Sequence, residues 1–175
     1  MINIKHLEHN RKTIKELSDI NAEENDQFRL FLQKLNSTYL DEVVFKLNEE
    51  VSSKIDCTKC GACCNKLMIN IEESDVERIS NHLNITEENF KENYVESGST
   101  MMIMNTIPCS FLKEKMCTVY EGRFTDCRQF PNLHSPGFQR RLFATLVNYE
   151  ICPIIFNVIE QLKIITDFKT NEIIQ

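Results

Sequence analysis

The chain contains one densely thiol-rich run, Cys57-Thr58-Lys59-Cys60-Gly61-Ala62-Cys63-Cys64, which places four thiols within eight residues. The remaining cysteines of the chain follow it, and they are Cys109, Cys117, Cys127 and Cys152. The C-x-x-C spacing occurs twice in the run, from Cys57 to Cys60 and from Cys60 to Cys63. Two residues between thiols let one tight turn aim both sulfurs at a single metal ion. We therefore expect all eight cysteines to be metal ligands.

The spacing within the run bears on which metal is bound. Bacterial ferredoxins hold three corners of an iron–sulfur cluster with C-x2-C-x2-C, the spacing of Cys57, Cys60 and Cys63. The fourth ligand would come from farther along, and Cys152-Pro153 has the Cys-Pro ending of that ferredoxin run without its spacing. Eight thiols also suffice for two four-thiolate zinc sites, and we expect the adjacent Cys63 and Cys64 to point apart. The prediction is an iron–sulfur cluster, such as [4Fe-4S], with zinc as the alternative.

Composition restricts the compartment and the partners. The N-terminal residues lack the apolar segment of a signal peptide, and no window reaches the roughly eighteen apolar residues of a membrane span. We therefore expect a cytoplasmic protein with no membrane partner. In that reducing compartment a cluster of cysteines is expected to bind metal, and a disulfide framework is the alternative. The net charge of −6, with no basic run, argues against a nucleic-acid partner. A protein partner is compatible with this composition.

Apolar spacing predicts two helices before the thiol-rich run. The first covers residues 1 to about 20, and the second extends from Asn21, as N-cap, to about Ser53. The apolar stripe of the second helix consists of Phe28, Phe31, Leu32, Leu35, Tyr39, Val43, Val44, Leu47 and Val51. We interpret this stripe as packing within the domain, and a partner-binding or coiled-coil surface is the alternative.

Short elements are predicted after the run. Leu67 to Ile71 is a candidate strand, Ser74-Asp75-Val76-Glu77 has the pattern of a capping box that opens a helix to about Leu83, and Thr86 begins another helix. Residues 101–105 and 117–120 are expected to be extended, so that the segment from Cys109 to Cys117 forms a hairpin. Residues 139–149 form a helix or a strand, and Pro153 opens the last helix.

Several further residues stand at defined spacings from the cysteines. They are Cys57-x2-Cys60-Gly61-x-Cys63-Cys64, Asp75-x-x-Arg78-Ile79, Cys109-x-Phe111-Leu112, Cys117-x-Val119-Tyr120, Arg123, Cys127-Arg128-x-Phe130-Pro131 and Cys152-Pro153. This series, over roughly residues 55 to 155, resembles the YkgJ-type cysteine-cluster family (CxxCxxCC), described as zinc- or iron-chelating. The resemblance implies metal chelation by these thiols. The family usually has Arg-Pro where this sequence has Arg123-Phe124, so we expect a looser turn before Cys127.

Charged residues near the cysteines have two interpretations. Arg123 and Arg128 flank Cys127 and are candidates for binding an anionic cofactor or substrate; the alternative is ion pairing with Glu121 or Asp126. Asp75 and Arg78 are interpreted as an intrahelical pair. His134 is expected to be a solvent-facing loop residue; the alternatives are a metal ligand in place of one cysteine and a proton donor near a substrate pocket.

These observations predict a mainly α fold with a small irregular β element, in a single metal-stapled domain. Within it, residues 1–54 form an N-terminal helical segment, 55–155 the cysteine region and 156–175 a C-terminal helix and tail. Three classes of function fit: an iron–sulfur redox or modifying enzyme, a structural zinc module for protein interaction, and a metal-handling protein.

Overall fold

The computed structural model describes residues 7–170. Its helices are α1 (Arg11–Ile20), α2 (Ala22–Leu32), α3 (Ser37–Ser52), α4 (Ala62–Lys66), α5 (Glu73–Leu83), α6 (Glu87–Tyr94), α7 (Thr125–Gln129), α8 (Phe138–Val147) and α9 (Pro153–Ile165). Its strands are β1 (Asn70–Ile71), β2 (Val95–Ser97), β3 (Met102–Met104), β4 (Leu112–Lys113) and β5 (Met116–Cys117), and a 3-10 turn spans Cys57–Lys59. The predicted mainly α fold with a small β element is confirmed.

The chain forms two compact units. The helical unit takes the described residues up to Ile55 and from Pro131 onward, and it contains α1, α2, α3, α8 and α9. The cysteine unit is the continuous segment Asp56–Phe130, which contains every other element. Among the helices of residues 7–170, none has both the length and the apolar character needed to cross a bilayer.

The helical unit is built around α3, which packs against α8 and α9. Fully buried side chains of α3 are Leu40, Val44, Leu47 and Val51, and α9 is buried along almost its whole length. Five residues of the predicted apolar stripe, Phe28, Leu32, Val44, Leu47 and Val51, are therefore buried within the unit, whereas Tyr39 is 44 % exposed and its neighbour Leu40 is buried instead. The helix predicted at Pro153 is confirmed, and residues 139–149 resolve as helix α8.

The helix predicted from Asn21 to Ser53 is wrong as a single element, because α2 ends at Leu32 and α3 begins at Ser37. Asn36 is the N-cap of α3, where its side-chain oxygen accepts a hydrogen bond from the Tyr39 N–H at 3.0 Å. Asn21 stands at the N-cap position of α2, but its amide donates to the Tyr149 hydroxyl at 3.2 Å instead of capping. Helix α1 begins at Arg11, and residues 1–6 of the first predicted helix lie outside the described residues.

The cysteine unit combines an antiparallel sheet in the order β1-β3-β2 with the β4-β5 hairpin. Its apolar core consists of Ile69, Ile71, Val76, Ile79, Phe90, Met104, Phe111, Val119 and Phe124, with Cys109 among them. The strand expected at residues 101–105 is confirmed as β3, and the helix expected at Thr86 is confirmed as α6. Helix α5 begins one residue before Ser74, so Glu72 and not Ser74 is its N-cap.

Candidate metal centre

The first two thiols lie on one tight turn. The Asp56 carboxylate accepts hydrogen bonds from the Thr58 N–H at 3.0 Å and the Thr58 hydroxyl at 2.5 Å, which fixes the start of the 3-10 turn. The Cys60 N–H donates to the Cys57 carbonyl at 3.2 Å. Cys57 and Cys60 are therefore held at the two ends of the same turn, as the C-x-x-C spacing predicts.

Gly61 follows in the left-handed region, with φ +61°. A Cβ atom built on Gly61 would lie 2.7 Å from the Lys115 carbonyl oxygen and 3.0 Å from the Lys115 Cα. Lys115 and Glu114 form the tip of the β4-β5 hairpin, and both have positive φ angles. The absence of a side chain at Gly61 thus allows the hairpin to lie against the cysteine turn, in agreement with the close backbone approach expected for a metal-binding loop.

Helix α4 carries the adjacent Cys63 and Cys64. Their sulfurs lie 3.9 Å apart, so the expectation that the two side chains point in opposite directions is wrong. Two sulfurs bound to one tetrahedral ion at 2.3 Å are about 3.8 Å apart, which is close to the observed separation. The Cys64 carbonyl also accepts a hydrogen bond from the Cys109 N–H at 2.9 Å, and this bond ties α4 to the segment before the hairpin.

The hairpin between Cys109 and Cys117 is confirmed. Cys117 is opposite Leu112 in the β4-β5 pair, and the Thr118 N–H donates to the Phe111 carbonyl at 2.8 Å. Burial raises the pKa of the Cys109 thiol, and the negative charge of Cys117 adds to the rise, whereas a hydrogen bond from the Phe111 N–H opposes it. The two thiols are therefore within electrostatic reach of each other.

The ionised form of Cys63 acts on other thiols of the cysteine unit. Its negative charge contributes to raising the pKa of five other cysteines, namely Cys57, Cys64, Cys109, Cys117 and Cys127. The main cause of the rise is direct contact with Cys63 for Cys64, and burial for the other four. For Cys127, burial followed by the charges of Cys63, Cys109 and Cys117 raises the pKa to about 12. Cys60 acts in the same way on Cys57. We call this set of seven cysteines the seven-thiol site, and its members are Cys57, Cys60, Cys63, Cys64, Cys109, Cys117 and Cys127. It draws sulfurs from the cysteine turn, α4, the hairpin and α7.

The donor set of the seven-thiol site suits a soft or borderline metal, because thiolates are the ligands that zinc and iron–sulfur clusters prefer. No disulfide joins the eight cysteines, all of which lie in the described part of the chain. Within residues 7–170, no three His, Cys, Asp or Glu side chains are arranged to hold a metal ion. Ligation by the seven-thiol site would therefore require its side chains to rotate toward a common point.

The eighth cysteine belongs to the helical unit. Cys152 is buried and occupies the N-cap position of α9, with Pro153 as the first helical residue, as the sequence predicts. The role of Cys152 as a metal ligand stays a prediction. Its inclusion rests on the sequence series that runs from Cys57 to Pro153.

The two candidate arginines have different surroundings. The Arg123 guanidinium lies 4.0 Å from the centre of the Tyr120 ring, and its positive charge acts to lower the pKa of Cys57 and Cys117, against the stronger effect of burial. Arg128 donates from Nε to the Arg123 carbonyl at 2.9 Å and also to the Glu121 carbonyl. Both guanidinium groups bond the backbone, since Arg123 also donates to the Tyr120 carbonyl at 3.1 Å, and Arg123 acts electrostatically on the Cys57 and Cys117 thiols in addition.

Replacing Arg123 by glutamine is expected to weaken metal binding about tenfold, because a positive charge that stabilises thiolates at Cys57 and Cys117 is lost. Competition with a chelator measures the change. Arg128→Gln is the matched control, since its guanidinium contacts backbone carbonyls. Equal losses in both variants would contradict a specific role for the Arg123 charge.

Phe124 stands directly before α7, at the position where we expected a looser turn. Its φ angle is −52°, within the range that proline imposes, and its side chain is 2 % exposed among the core aromatics Phe90 and Phe111. The expected looser turn before Cys127 is therefore not found. Packing of the ring restrains the backbone here in place of a pyrrolidine ring.

The role of Asp75 was missed by sequence reasoning. Its predicted intrahelical pairing with Arg78 is confirmed, but Asp75 is also fully buried and accepts hydrogen bonds from Thr125 at the start of α7. The Asp75-x-x-Arg78 spacing, next to the apolar Val76 and Ile79, was the one available signal. A carboxylate on the apolar face of a helix needs buried partners.

His134 is an exposed loop residue of the helical unit, as expected. It borders a cavity of about 430 Å³ that is also lined by Asp41, Glu42, Phe45 and Lys46. The Asp41 carboxylate is already engaged there, because it accepts hydrogen bonds from the Gly137 and Phe138 N–H groups at the start of α8.

Comparison with known proteins gives one match. Residues 56–153, more than half of the chain, match the family model described as "CxxCxxCC: Putative zinc- or iron-chelating domain". The matched segment contains all eight cysteines and takes in the whole cysteine unit, and it continues through α8 to the first residue of α9. No curated protein and no solved structure gives a significant match to the chain.

Proposed function

Because the chain belongs to the CxxCxxCC family of zinc- or iron-chelating domains, we propose that the seven-thiol site holds an iron–sulfur cluster. The observation that carries the proposal is the local geometry of the thiol-bearing segments: the tight turn from Cys57 to Cys60, the 3.9 Å between the Cys63 and Cys64 sulfurs, and the bond from the Cys109 N–H to the Cys64 carbonyl. The ligands would come from Cys57, Cys60, Cys63, Cys64, Cys109, Cys117 and Cys127, with Cys152 as an eighth candidate. Such a centre supplies electron transfer, or an open iron at which a substrate binds.

The residues of the protein have separate tasks in this proposal. The core beneath Cys64, Cys109, Cys117 and Cys127 excludes water from one side of the site, which tunes the potential of a thiolate-bound centre. The Arg123 guanidinium offsets part of the negative charge of the thiolates. Thiolate ligands persist in a reducing compartment, so we place the protein in the cytoplasm. A redox or protein-modifying enzyme and a metal-handling protein both use a centre of this kind.

Zinc is the second candidate, and one distance favours it. The 3.9 Å between the Cys63 and Cys64 sulfurs is close to the separation of two ligands on one tetrahedral zinc ion. A zinc-bound seven-thiol site would act as a structural module, and the function would then reside in interaction with a protein partner.

Anaerobic purification followed by absorption spectroscopy and analysis for iron, acid-labile sulfide and zinc separates the two candidates. We expect brown protein with broad absorption near ~400 nm and iron and sulfide in equal amounts, since thiolate-ligated iron–sulfur clusters absorb there. Protein alkylated on its thiols before reconstitution is the control, and it is expected to stay colourless. Stoichiometric zinc without sulfide would support the zinc candidate, and failure to bind either metal would contradict both.

A further inference from the structure

Asp75 is a buried carboxylate outside the set of proposed metal ligands. It is 0 % exposed, on the inward face of α5, next to the core residues Val76 and Ile79. One of its oxygens accepts from the Thr125 N–H at 2.9 Å, from the Thr125 hydroxyl at 2.8 Å and from the Arg78 guanidinium. The other accepts from the Glu72 N–H at 3.1 Å. Burial of a charge is costly unless it is paired and hydrogen-bonded, and Asp75 meets both conditions.

Two of these bonds reach Thr125, which is 50 residues away and is the first residue of α7. Helix α7 has only five residues, and its N-cap residue Phe124 offers no side-chain acceptor. A helix of that length is not stable by itself, and the N–H groups of its first turn need an acceptor from elsewhere. Asp75 supplies that acceptor.

Helix α7 carries Cys127 in its middle. Cys127 packs against the core of the cysteine unit, so the position of its sulfur depends on how α7 is held. Arg78, the partner of Asp75, also donates to the carbonyls of Gly122 at 3.3 Å and Arg123 at 3.0 Å. The ion pair between the buried Asp75 and the partly exposed Arg78 therefore holds the start of α7 and the backbone that leads into it, beside the bonds that Asn70 donates to Asp126 in the same helix.

We infer that Asp75 is the positioning residue that sets Cys127 within the seven-thiol site, acting through Thr125. The inference rests on the proposed function for its purpose, since a thiol must be placed accurately to serve as a metal ligand. The placement itself can be tested without metal, by the rate at which Cys127 is alkylated.

The test compares two cysteines in metal-stripped, reduced protein. Iodoacetamide labelling followed by peptide mass spectrometry reports the rate at Cys127 and, as internal reference, at Cys109, whose segment is fixed by the Cys64 carbonyl. We expect Asp75→Asn to raise the Cys127 rate roughly tenfold relative to Cys109, because α7 loses a charge-assisted hydrogen bond. Glu73→Gln makes the same chemical change on the same helix, at an exposed carboxylate paired with Lys91, and should leave both rates unchanged.

Variants at Thr125 preserve the buried ion pair and keep the test valid if Asp75→Asn does not fold. Thr125→Val removes one of the two bonds and is expected to raise the Cys127 rate about threefold, whereas Thr125→Ser keeps the hydroxyl and should restore the parent rate. Equal acceleration at Cys109 and Cys127 in Thr125→Val, or no acceleration at either, would overturn the inference.

A second measurement separates this inference from the proposed function. In protein reconstituted with iron and sulfide, Thr125→Val and Cys127→Ser are both expected to release iron to a chelator faster than the parent. Failure of every form, including the parent, to take up metal would contradict the proposed function and leave the labelling result as the test of positioning. Normal metal retention in Thr125→Val beside faster loss in Cys127→Ser would overturn the role of Asp75 in the metal site.

Discussion

Cys63→Ser is expected to lower the affinity of the protein for metal roughly a hundredfold, the largest loss of any single cysteine substitution. Cys63 is the third cysteine of the C-x2-C-x2-C spacing, and its sulfur lies 3.9 Å from that of Cys64. Serine has nearly the same shape as cysteine but does not ionise at neutral pH, so it removes the ligand with little change in packing. Elemental analysis after anaerobic reconstitution and desalting measures the loss.

His134→Ala is the matched control for Cys63→Ser, since His134 is exposed on a loop of the helical unit. It should retain the full metal content. A whole equivalent lost from His134→Ala would make that histidine a ligand. Unchanged metal in Cys63→Ser would contradict the proposed role of Cys63 as a ligand.

Gly61→Ala is expected to destabilise the cysteine unit by about 2–4 kcal/mol. A left-handed backbone costs an alanine roughly 1–2 kcal/mol, and overlap in a packed interior adds a similar amount. The overlap is with backbone, at 2.7 Å from the Lys115 carbonyl oxygen, so no side chain can rotate away to relieve it. The hairpin tip must move, and Cys117 lies on that hairpin.

Hydrogen exchange measured by mass spectrometry on peptides from residues 56–130 reports this loss, because the chain has no tryptophan to serve as a fluorescent probe. Gly98→Ala is the control within the same unit: Gly98 lacks a positive φ, and a Cβ there would meet only the Met101 carbonyl at an ordinary 3.4 Å. The control is expected to change stability by less than about 1 kcal/mol. Equal protection in the parent and Gly61→Ala would show that the hairpin adapts freely.

The spacing of the cysteines predicted local geometry well, because it depends on a few neighbouring residues. The tight turn from Cys57 to Cys60 and the hairpin that ends at Cys117 both follow from short-range rules. The position of Cys152 at a helix N-terminus followed in the same way from Pro153.

The wrong predictions concern sequence patterns that are compatible with two different local structures. Leu32, Leu35 and Tyr39 keep helical spacing across the break between α2 and α3, so apolar periodicity alone does not reveal it. Asn36, a strong N-cap residue, was the overlooked signal. Cys63 and Cys64 were expected to point apart, but they lie in helix α4, where neighbouring side chains are about 100° apart and their sulfurs can approach.

Long-range contacts were not accessible from the sequence. The bond from Thr125 to Asp75 spans 50 residues, and no periodicity links the two positions. The division of the chain is also invisible in composition, because helices on both sides of the Asp56–Phe130 segment join in one unit. Such pairings are set by which apolar faces find each other after the elements have formed.

The order of the two units along the chain has a consequence for biosynthesis. Helices α1, α2 and α3 leave the ribosome first, but α8 and α9, which cover α3, are made only after the whole segment Asp56–Phe130. At typical rates of translation this delay is roughly 4–15 s. For that interval the side chains of Leu40, Val44 and Leu47 lack their later neighbours, and by its end every cysteine except Cys152 has been synthesised. In the nascent chain every cysteine except Cys152 is therefore present before the helical unit can fold.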